Sequence, residues 1–333
     1  MNPKVSILIP IYNVSPFIEK CATSLFNQNF DDIEYIFIND ATPDDSVEKL
    51  ERIIEQYSER KHQVKIIHNS TNKGLAFSRN RAINESIGDY ILVVDSDDYI
   101  EPEMIEILYL KAQSENADIV VCDFFMEYTN KTEIYPDIIF ESKEDNLISI
   151  IKHEQTSSSL CNKLVRRYLY TEPESRVPDG LNYCEDWYVM TRMFYFANKI
   201  IKVNQAFYHY CHNNENSITK TILKMHFQNM AMFWEHLDIF LKQHNEYEKY
   251  RKIMELPKTQ SKVRLMIDTH LSPLRKEYSN LFHDVEMNCI SQLKRGEVIM
   301  LLLVRYKLFG LAQLFHNLLV FKKQRNTSKT AIE

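Results

Sequence analysis

Residues 89–102 read Asp-Tyr-Ile-Leu-Val-Val-Asp-Ser-Asp-Asp-Tyr-Ile-Glu-Pro, an apolar run that stops abruptly at three carboxylates, Asp95, Asp97 and Asp98. Tyr90–Val94 is rich in β-branched residues and shows no polar alternation, the pattern of a buried strand. Acids at its end fall at the edge of an open sheet. Carboxylates this close repel one another unless a cation or a ring of donors compensates them. A hard divalent ion, Mg²⁺ or Mn²⁺, does so with one or two protein carboxylates and fills its shell from phosphate and water. The competing reading of an Asp-x-Asp on its own is a solvated acidic turn.

Other residues with chemical capacity sit near predicted element ends. Lys73 and Arg79 flank Gly74 and offer cationic donors to phosphate, although Arg79 equally suits an ion pair with Asp95 or Asp97. Gly74 permits a tight turn or a close backbone approach. Tyr12 presents a flat amphipathic face to a base or ribose, or is a core tyrosine with a satisfied hydroxyl. Glu185 and Asp186 open a predicted helix, where adjacent acids are either solvated surface or a base and its neighbour. His209 and His212 are each either a side chain that can carry charge near neutral pH or a structural histidine.

The elements that must position these residues alternate regularly over the first hundred positions. Strands are predicted at Val5–Ile11, Ile33–Ile38, Val64–His68 and Tyr90–Val94. The helices between them are Val14–Gln28, opened by Pro16, then Val47–Ser58 and Leu75–Ser86, closed by Gly88 as a left-handed cap. This β-α-β-α-β-α-β order implies a mainly parallel α/β sheet with ligands at the carboxyl ends of its strands. Beyond it the pattern predicts a helix at Met104–Ser114, a strand at Asp118–Asp123 and polar loop over 127–145. A helical stretch near Asn146–His153, the segment Leu160–Tyr170, a helix at Glu185–Phe196 and a segment Ile200–Tyr210 follow. From 222 onward the pattern is helical, with one further amphipathic segment at 297–323.

Bulk properties narrow the classes. With 44% hydrophobic and 26% charged residues, the 333-residue chain has an ordinary globular composition. Six scattered cysteines without a C-x-x-C pair predict reduced thiols, not a disulfide frame or a zinc site. A strand beginning at Val5 leaves no room for a signal peptide, so a cytoplasmic protein is expected. Of the net charge of −6, residues 298–333 carry +5 and residues 1–297 carry −11. An acidic body argues against nucleic-acid binding, and the basic tail calls for an anionic partner. Leu301, Val304, Leu308, Leu311, Phe315 and Leu318 recur at helical spacing among basic residues. That suits either a helix lying on an anionic membrane face or a helix packed on the catalytic domain or a second subunit, as in a homodimer.

Five motifs in order give a family resemblance. Val5-Ser6-Ile7-Leu8-Ile9-Pro10-Ile11-Tyr12-Asn13, Ile36-Phe37-Ile38-Asn39-Asp40, Asn72-Lys73-Gly74-Leu75-Ala76-Phe77-Ser78-Arg79-Asn80, Asp95-Ser96-Asp97 and Cys184-Glu185-Asp186-Trp187 together resemble the family 2 glycosyltransferases, inverting enzymes of the GT-A fold. The resemblance spans roughly residues 4–218. It implies a GT-A catalytic domain over 1–221 and a helical C-terminal region over 222–333. It places Pro10, Tyr12, Asp40, Lys73, Arg79, Asp95, Ser96 and His212 at the nucleotide-sugar donor, with Asp40 accepting the N3–H of uracil; a helix N-cap is the alternative for Asp40. Asp97 and Asp95 would hold Mn²⁺ or Mg²⁺, and Asp186 would be the base, assisted by Glu185. The implied acceptor is a cell-surface glycan or a lipid-linked sugar, met at the inner face of the plasma membrane.

One departure stands out. Relatives commonly read Asp-Asp-Gly-Ser-Thr-Asp where this chain reads Asn39-Asp40-Ala41-Thr42-Pro43-Asp44, so a different turn is expected there. Two rival readings are a non-catalytic scaffold of the same fold and a sugar nucleotidyltransferase. The latter normally shows a glycine-rich basic loop after its first strand, which Tyr12-Asn13-Val14-Ser15 lacks. No G-x-G-x-x-G follows that strand either, which disfavours a dehydrogenase.

Overall fold

The computed structural model describes residues 3–212, 214 and 223–330. It divides into two compact units, 1–217 and 218–333.

The first unit is built on β1 (Val5–Ile11), α1 (Ile18–Phe26), β2 (Ile33–Asn39), α2 (Ser46–Gln56), β3 (Val64–His68), α3 (Leu75–Glu85), β4 (Tyr90–Val93), β5 (Tyr99–Ile100), α4 (Met104–Glu115) and β6 (Ile119–Tyr128). Then follow β7 (Lys131–Tyr135), α5 (Lys143–Lys152), β8 (Lys163–Arg166), α6 (Arg167–Thr171), α7 (Glu185–Phe196) and β9 (Ile200–Cys211). The strand order is β3-β2-β1-β4-β8-β6-β9-β5, with β7 paired to β6. β1 to β4 are mutually parallel, β8 is antiparallel to both β4 and β6, and β6 is parallel to β9. This is the mixed, helix-covered sheet of the GT-A type.

β1 is buried at every position because helices cover both faces of the sheet. On one face Val5, Ile7, Ile9 and Ile11 join Leu25 and Phe26 of α1, Leu50 and Ile53 of α2, and Leu108 of α4 in one core. On the other face Ser6 Oγ donates to the buried Glu34 at 2.6 Å and accepts the Gly88 N–H at 2.9 Å. A Cβ on Gly88 would lie 2.7 Å from the Ser6 backbone nitrogen. Close approach therefore explains this glycine. It is not the left-handed cap expected from sequence, since Gly74 and Gly180 are the glycines with positive φ among the described residues and α3 ends at an extended Ser86.

Other expectations are corrected too. Pro16 precedes α1 instead of opening it, in a turn where the Phe17 and Ile18 N–H groups both donate to Val14 O. The polar stretch 127–145 is not loop: β6 continues to Tyr128, pairs with β7 through a hairpin, and α5 starts at Lys143. β7 is exposed at all its positions, so it carries no alternating hydrophobic signal.

The second unit is helical, with α8 (Lys224–Gln243), α9 (Tyr247–Asp268), α10 (Ser272–Glu277), α11 (Arg295–Arg305) and α12 (Phe309–Thr330). Buried charges organise it: Lys262 pairs with Glu286 at 2.6 Å, and Arg275 donates to Met266 O at 2.8 Å and Thr269 O at 2.6 Å. The single amphipathic segment expected at 297–323 is two helices, broken near Lys307, which has φ 59°.

Candidate active site

The turn after β2 shows how local sequence builds one wall. Ala41 adopts φ 52°, the conformation a glycine would supply. The left-handed turn is thus kept without glycine, against expectation. Thr42 N–H donates to Asn39 Oδ1 at 2.9 Å, and Asp44 accepts the hydroxyls of Thr42 at 2.6 Å and Ser46 at 2.5 Å. These bonds hold the strained residue in place. Relieving it by Ala41→Gly exchanges roughly 1–2 kcal/mol of left-handed strain for roughly 0.4–1 kcal/mol of unfolded-chain entropy. The variant is expected to unfold at higher urea with an unchanged m-value; a lower midpoint would mean that Ala41 makes contacts worth more than its strain.

Asp40 is nearly fully buried and is neither a helix cap nor a free carboxylate. Its Oδ1 accepts from Asn69 Nδ2 at 2.7 Å and Lys73 N–H at 2.9 Å, and its Oδ2 from Gly74 N–H at 2.8 Å. It anchors the loop that leads into α3, leaving a lone pair on Oδ2 for a ligand N–H. Gly74 has φ 89°, and a Cβ there would meet Asn182 Oδ1 at 2.7 Å. Asn182 Oδ1 also accepts the Ala76 N–H at 3.3 Å, so the loop before α7 docks on the start of α3. Tyr12, 47% exposed, and the exposed Lys73 remain available to a ligand.

The end of β4 sorts its three acids. Asp98 is buried and fully used: Tyr208 Oη donates to Oδ2 at 2.6 Å and the Cys211 N–H to Oδ1 at 2.7 Å. Ser96 Oγ donates to Pro10 O at 2.7 Å, which ties this turn to β1. Asp95 and Asp97 face outward, and Asp97 Oδ2 accepts from Asn214 Nδ2 at 2.8 Å. Burial, with Asp95 adding repulsion, raises the Asp97 carboxyl above the usual range. Two hard carboxylates with one uncompensated charge suit a divalent ion completed by phosphate and water.

Arg79 decides the centre of the site. Projecting from α3 and nearly fully buried, its Nη2 donates to Asp95 Oδ1 at 2.9 Å, while Nη1 donates to Glu185 Oε1 at 2.9 Å and also to Asp186 Oδ1. The structure therefore places it as an ion-pair bridge and not as a side chain free for phosphate. Glu185 and Asp186 lie in the first turn of α7, where the helix dipole favours negative charge. Cys184, with φ 67°, turns the chain into that helix. Burial raises both acids. Glu185 is pushed up to about 7 by burial and by Asp186, against the pull of Arg79. Asp186 is also raised by burial and is held down by Arg79. Both acids thus sit side by side on one Arg79 nitrogen, raised by burial and stabilised as anions by the same guanidinium.

The histidines separate. His209 is buried between the rings of Tyr99 and Phe125, at centroid distances of 4.0 and 4.4 Å. Its two nitrogens face Glu127 at 2.7 Å and Glu101 at 2.8 Å, so it is a structural residue. His212 is exposed and stacks on Tyr128 at 4.9 Å. The following Asn216-Ser217-Ile218-Thr219 lie outside the described residues. Sequence reasoning missed Asn214, Tyr208 and Asn182, whose partners are distant in the chain and which belong to no motif.

The family model "Glycosyl transferase family 2" matches residues 6–172. The putative glycosyltransferase EpsH of Bacillus subtilis is 30% identical over 260 residues, 76% of this chain and 74% of the relative. The uncharacterized glycosyltransferase EpsJ of the same organism is 28% identical over 99% of this chain and 98% of its own length. Among solved structures, Staphylococcus aureus TarS 1–349 in complex with UDP-GlcNAc aligns with a TM-score of 0.72 at 19% identity, covering 94% of this chain and 90% of that one. The family match takes in the first four of the five motifs and half the chain, and this protein is a glycosyltransferase belonging to glycosyl transferase family 2.

Proposed function

We propose that the protein is an inverting, metal-assisted transferase that moves a sugar from a UDP-sugar to a hydroxyl of a cell-surface glycan or lipid-linked acceptor. The observation that carries this reading is the Arg79 guanidinium, which joins Asp95 on the donor side to Asp186 and Glu185 on the acceptor side. Tyr12 and Asp40 would receive the base and Lys73 the phosphates. Asp97 and Asp95 would hold Mn²⁺ or Mg²⁺, which when bound neutralises charge developing on the leaving nucleoside diphosphate. Asp186, oriented by Arg79, takes the acceptor proton as the hydroxyl attacks the anomeric carbon from the face opposite the diphosphate. Glu185, held by the same Arg79 nitrogen, positions Asp186 and the acceptor. The catalytic unit would be residues 1–221, with 222–333 as a helical appendage.

The testing experiment is a panel of nucleotide sugars scored for Mn²⁺-dependent release of nucleoside diphosphate. Turnover with a UDP-sugar supports the reading. Binding of UDP with no hydrolysis of any donor would favour a non-catalytic scaffold.

The C-terminal unit would bring the enzyme to its acceptor at a membrane. No helix among the described residues is long and apolar enough to cross a bilayer. The predicted stripe divides: Leu301 and Val304 of α11 are buried, Phe315 is half-buried, and Leu308, Leu311 and Leu318 are each at least 47% exposed, as are Leu314 and Phe321, which the stripe did not include. Leu311, Leu314, Leu318 and Phe321 recur at helical spacing on one face of α12. With no acid between 298 and 332, an anionic lipid surface complements this face, each basic residue near it adding about 1 kcal/mol. The combined variant Leu311→Gln, Leu314→Gln, Leu318→Gln is expected to lose salt-sensitive sedimentation with phosphatidylglycerol vesicles while still hydrolysing donor. Loss of a dimer on size exclusion, with vesicle binding intact, would make the face a subunit contact.

A further inference from the structure

The turn that presents Asp95 and Asp97 closes on itself, the Asp98 N–H donating to Asp95 O at 3.0 Å. A tyrosine more than a hundred positions along the chain holds it from behind. Tyr208 lies on β9, in register with Ile100 of β5 and Phe124 of β6, and is fully buried. Its hydroxyl makes two bonds of opposite sense. It accepts the Asp95 N–H at 3.2 Å and donates to Asp98 Oδ2 at 2.6 Å. One oxygen thus ties the first residue of the turn to the last.

The other polar groups of the turn are fastened as well. Ser96 Oγ donates to Pro10 O of β1 at 2.7 Å, the Cys211 N–H of β9 donates to Asp98 Oδ1 at 2.7 Å, and Cys21 Sγ of α1 lies 3.8 Å from Asp95 O. Asp98 is turned inward with both oxygens occupied, which leaves Asp95 and Asp97 on the outward side. Two carboxylates on a loose turn would move apart to relieve their repulsion. Held together by the fold, they meet a cation without a further cost of gathering them. Partners behind a ligand set orient it and tune its affinity in this way.

We propose that Tyr208 is a positioning residue for the divalent-ion site, its hydroxyl clamping the Asp95–Asp98 turn so that the Asp95 and Asp97 carboxylates stand ready for one cation. The inference rests on the reading of these two acids as metal ligands. Tyr208 acts through the turn and not by touching the ion, since its own oxygen is spent on Asp95 N–H and Asp98.

The test compares full-length Tyr208→Phe, which removes one oxygen and keeps the ring, with Asp97→Asn and the wild type. Mn²⁺ binding to protein saturated with UDP is followed by the paramagnetic resonance signal of free Mn²⁺. UDP binding in EDTA reports the donor pocket without metal, and thermal unfolding reports the fold. Tyr208→Phe is expected to bind Mn²⁺ roughly 10- to 100-fold more weakly, the usual effect of losing a partner behind a metal ligand, with UDP affinity in EDTA unchanged. Wild-type Mn²⁺ affinity in Tyr208→Phe, alone or with a lower melting temperature, overturns the inference and leaves the metal reading standing if Asp97→Asn has lost Mn²⁺. An equal loss of UDP affinity in EDTA also overturns it, because the tyrosine would then support the whole pocket. Wild-type Mn²⁺ affinity in Asp97→Asn removes the metal reading and the inference with it. If Tyr208→Phe does not fold, p-aminophenylalanine at position 208 keeps a donor for Asp98 and loses the acceptor for the Asp95 N–H, its lone pair being drawn into the ring; weaker Mn²⁺ binding is again expected, and wild-type affinity overturns the inference.

Discussion

Asp97→Asn is expected to eliminate Mn²⁺-dependent donor turnover, by at least roughly 10²–10³-fold, the effect of removing one preorganised group from developing charge. The reason lies in how charge is shared at the end of β4. Arg79 is occupied by Asp95, Glu185 and Asp186, and Asp98 is satisfied by Tyr208 and the Cys211 N–H. Asp97 has the neutral amide of Asn214, while burial and Asp95 push its carboxyl upward. In the proposed site a divalent cation supplies the compensation. An asparagine fills the same volume and can still hydrogen-bond Asn214, so the fold should survive. Thermal unfolding should be unchanged or slightly improved, because a like charge has left the cluster. The decisive measurement is nucleoside diphosphate release across a Mn²⁺ titration; near wild-type rates at limiting Mn²⁺ would remove Asp97 from the metal site.

Asp186→Asn should retain UDP binding and lose transfer by roughly 10²–10⁴-fold, the usual contribution of a positioned general base. The amide keeps the shape of the side chain but cannot accept the proton. Glu185 is no ready substitute. It is buried, and its carboxylate is held by the same Arg79 nitrogen at 2.9 Å. Glu185→Gln is accordingly expected to cost less in kcat than Asp186→Asn. Equilibrium binding of UDP and single-turnover transfer separate the two steps. Weakened UDP binding with unchanged transfer per bound donor would relocate Asp186 to the donor side.

The elements that carry the site were legible because each has a strong one-dimensional signal. β1, β3 and α7 fall at the predicted boundaries, since continuous apolar runs or an acid-led helical pattern are bounded by turn-forming residues. The ordering of acids at strand ends was equally legible, because a strand's length fixes where its terminal carboxylate emerges. The exposed β7 was not, having no buried face to impose a period. Gly88 was legible as a special position but not for the right reason: its constraint is the Ser6 backbone, 82 residues away.

The sequence by itself determined which groups are present, namely three acids after β4, two acids opening α7, and a cation among the first residues of α3. Only the tertiary structure decided which of them neutralise one another. Arg79 looked equally suited to phosphate or to Asp95, and folding gives it to Asp95 together with two acids more than a hundred positions away. Asp137 lies in a stretch read as polar loop, and folding buries it completely against Lys163. The tail stripe read as one helical face is split by the turn at Lys307 into a buried and an exposed part. The physical reason is common to all three. Periodicity and turn chemistry act over a few residues, whereas charge pairing and desolvation depend on through-space distance and on what else excludes water, which the chain fixes only when it has folded.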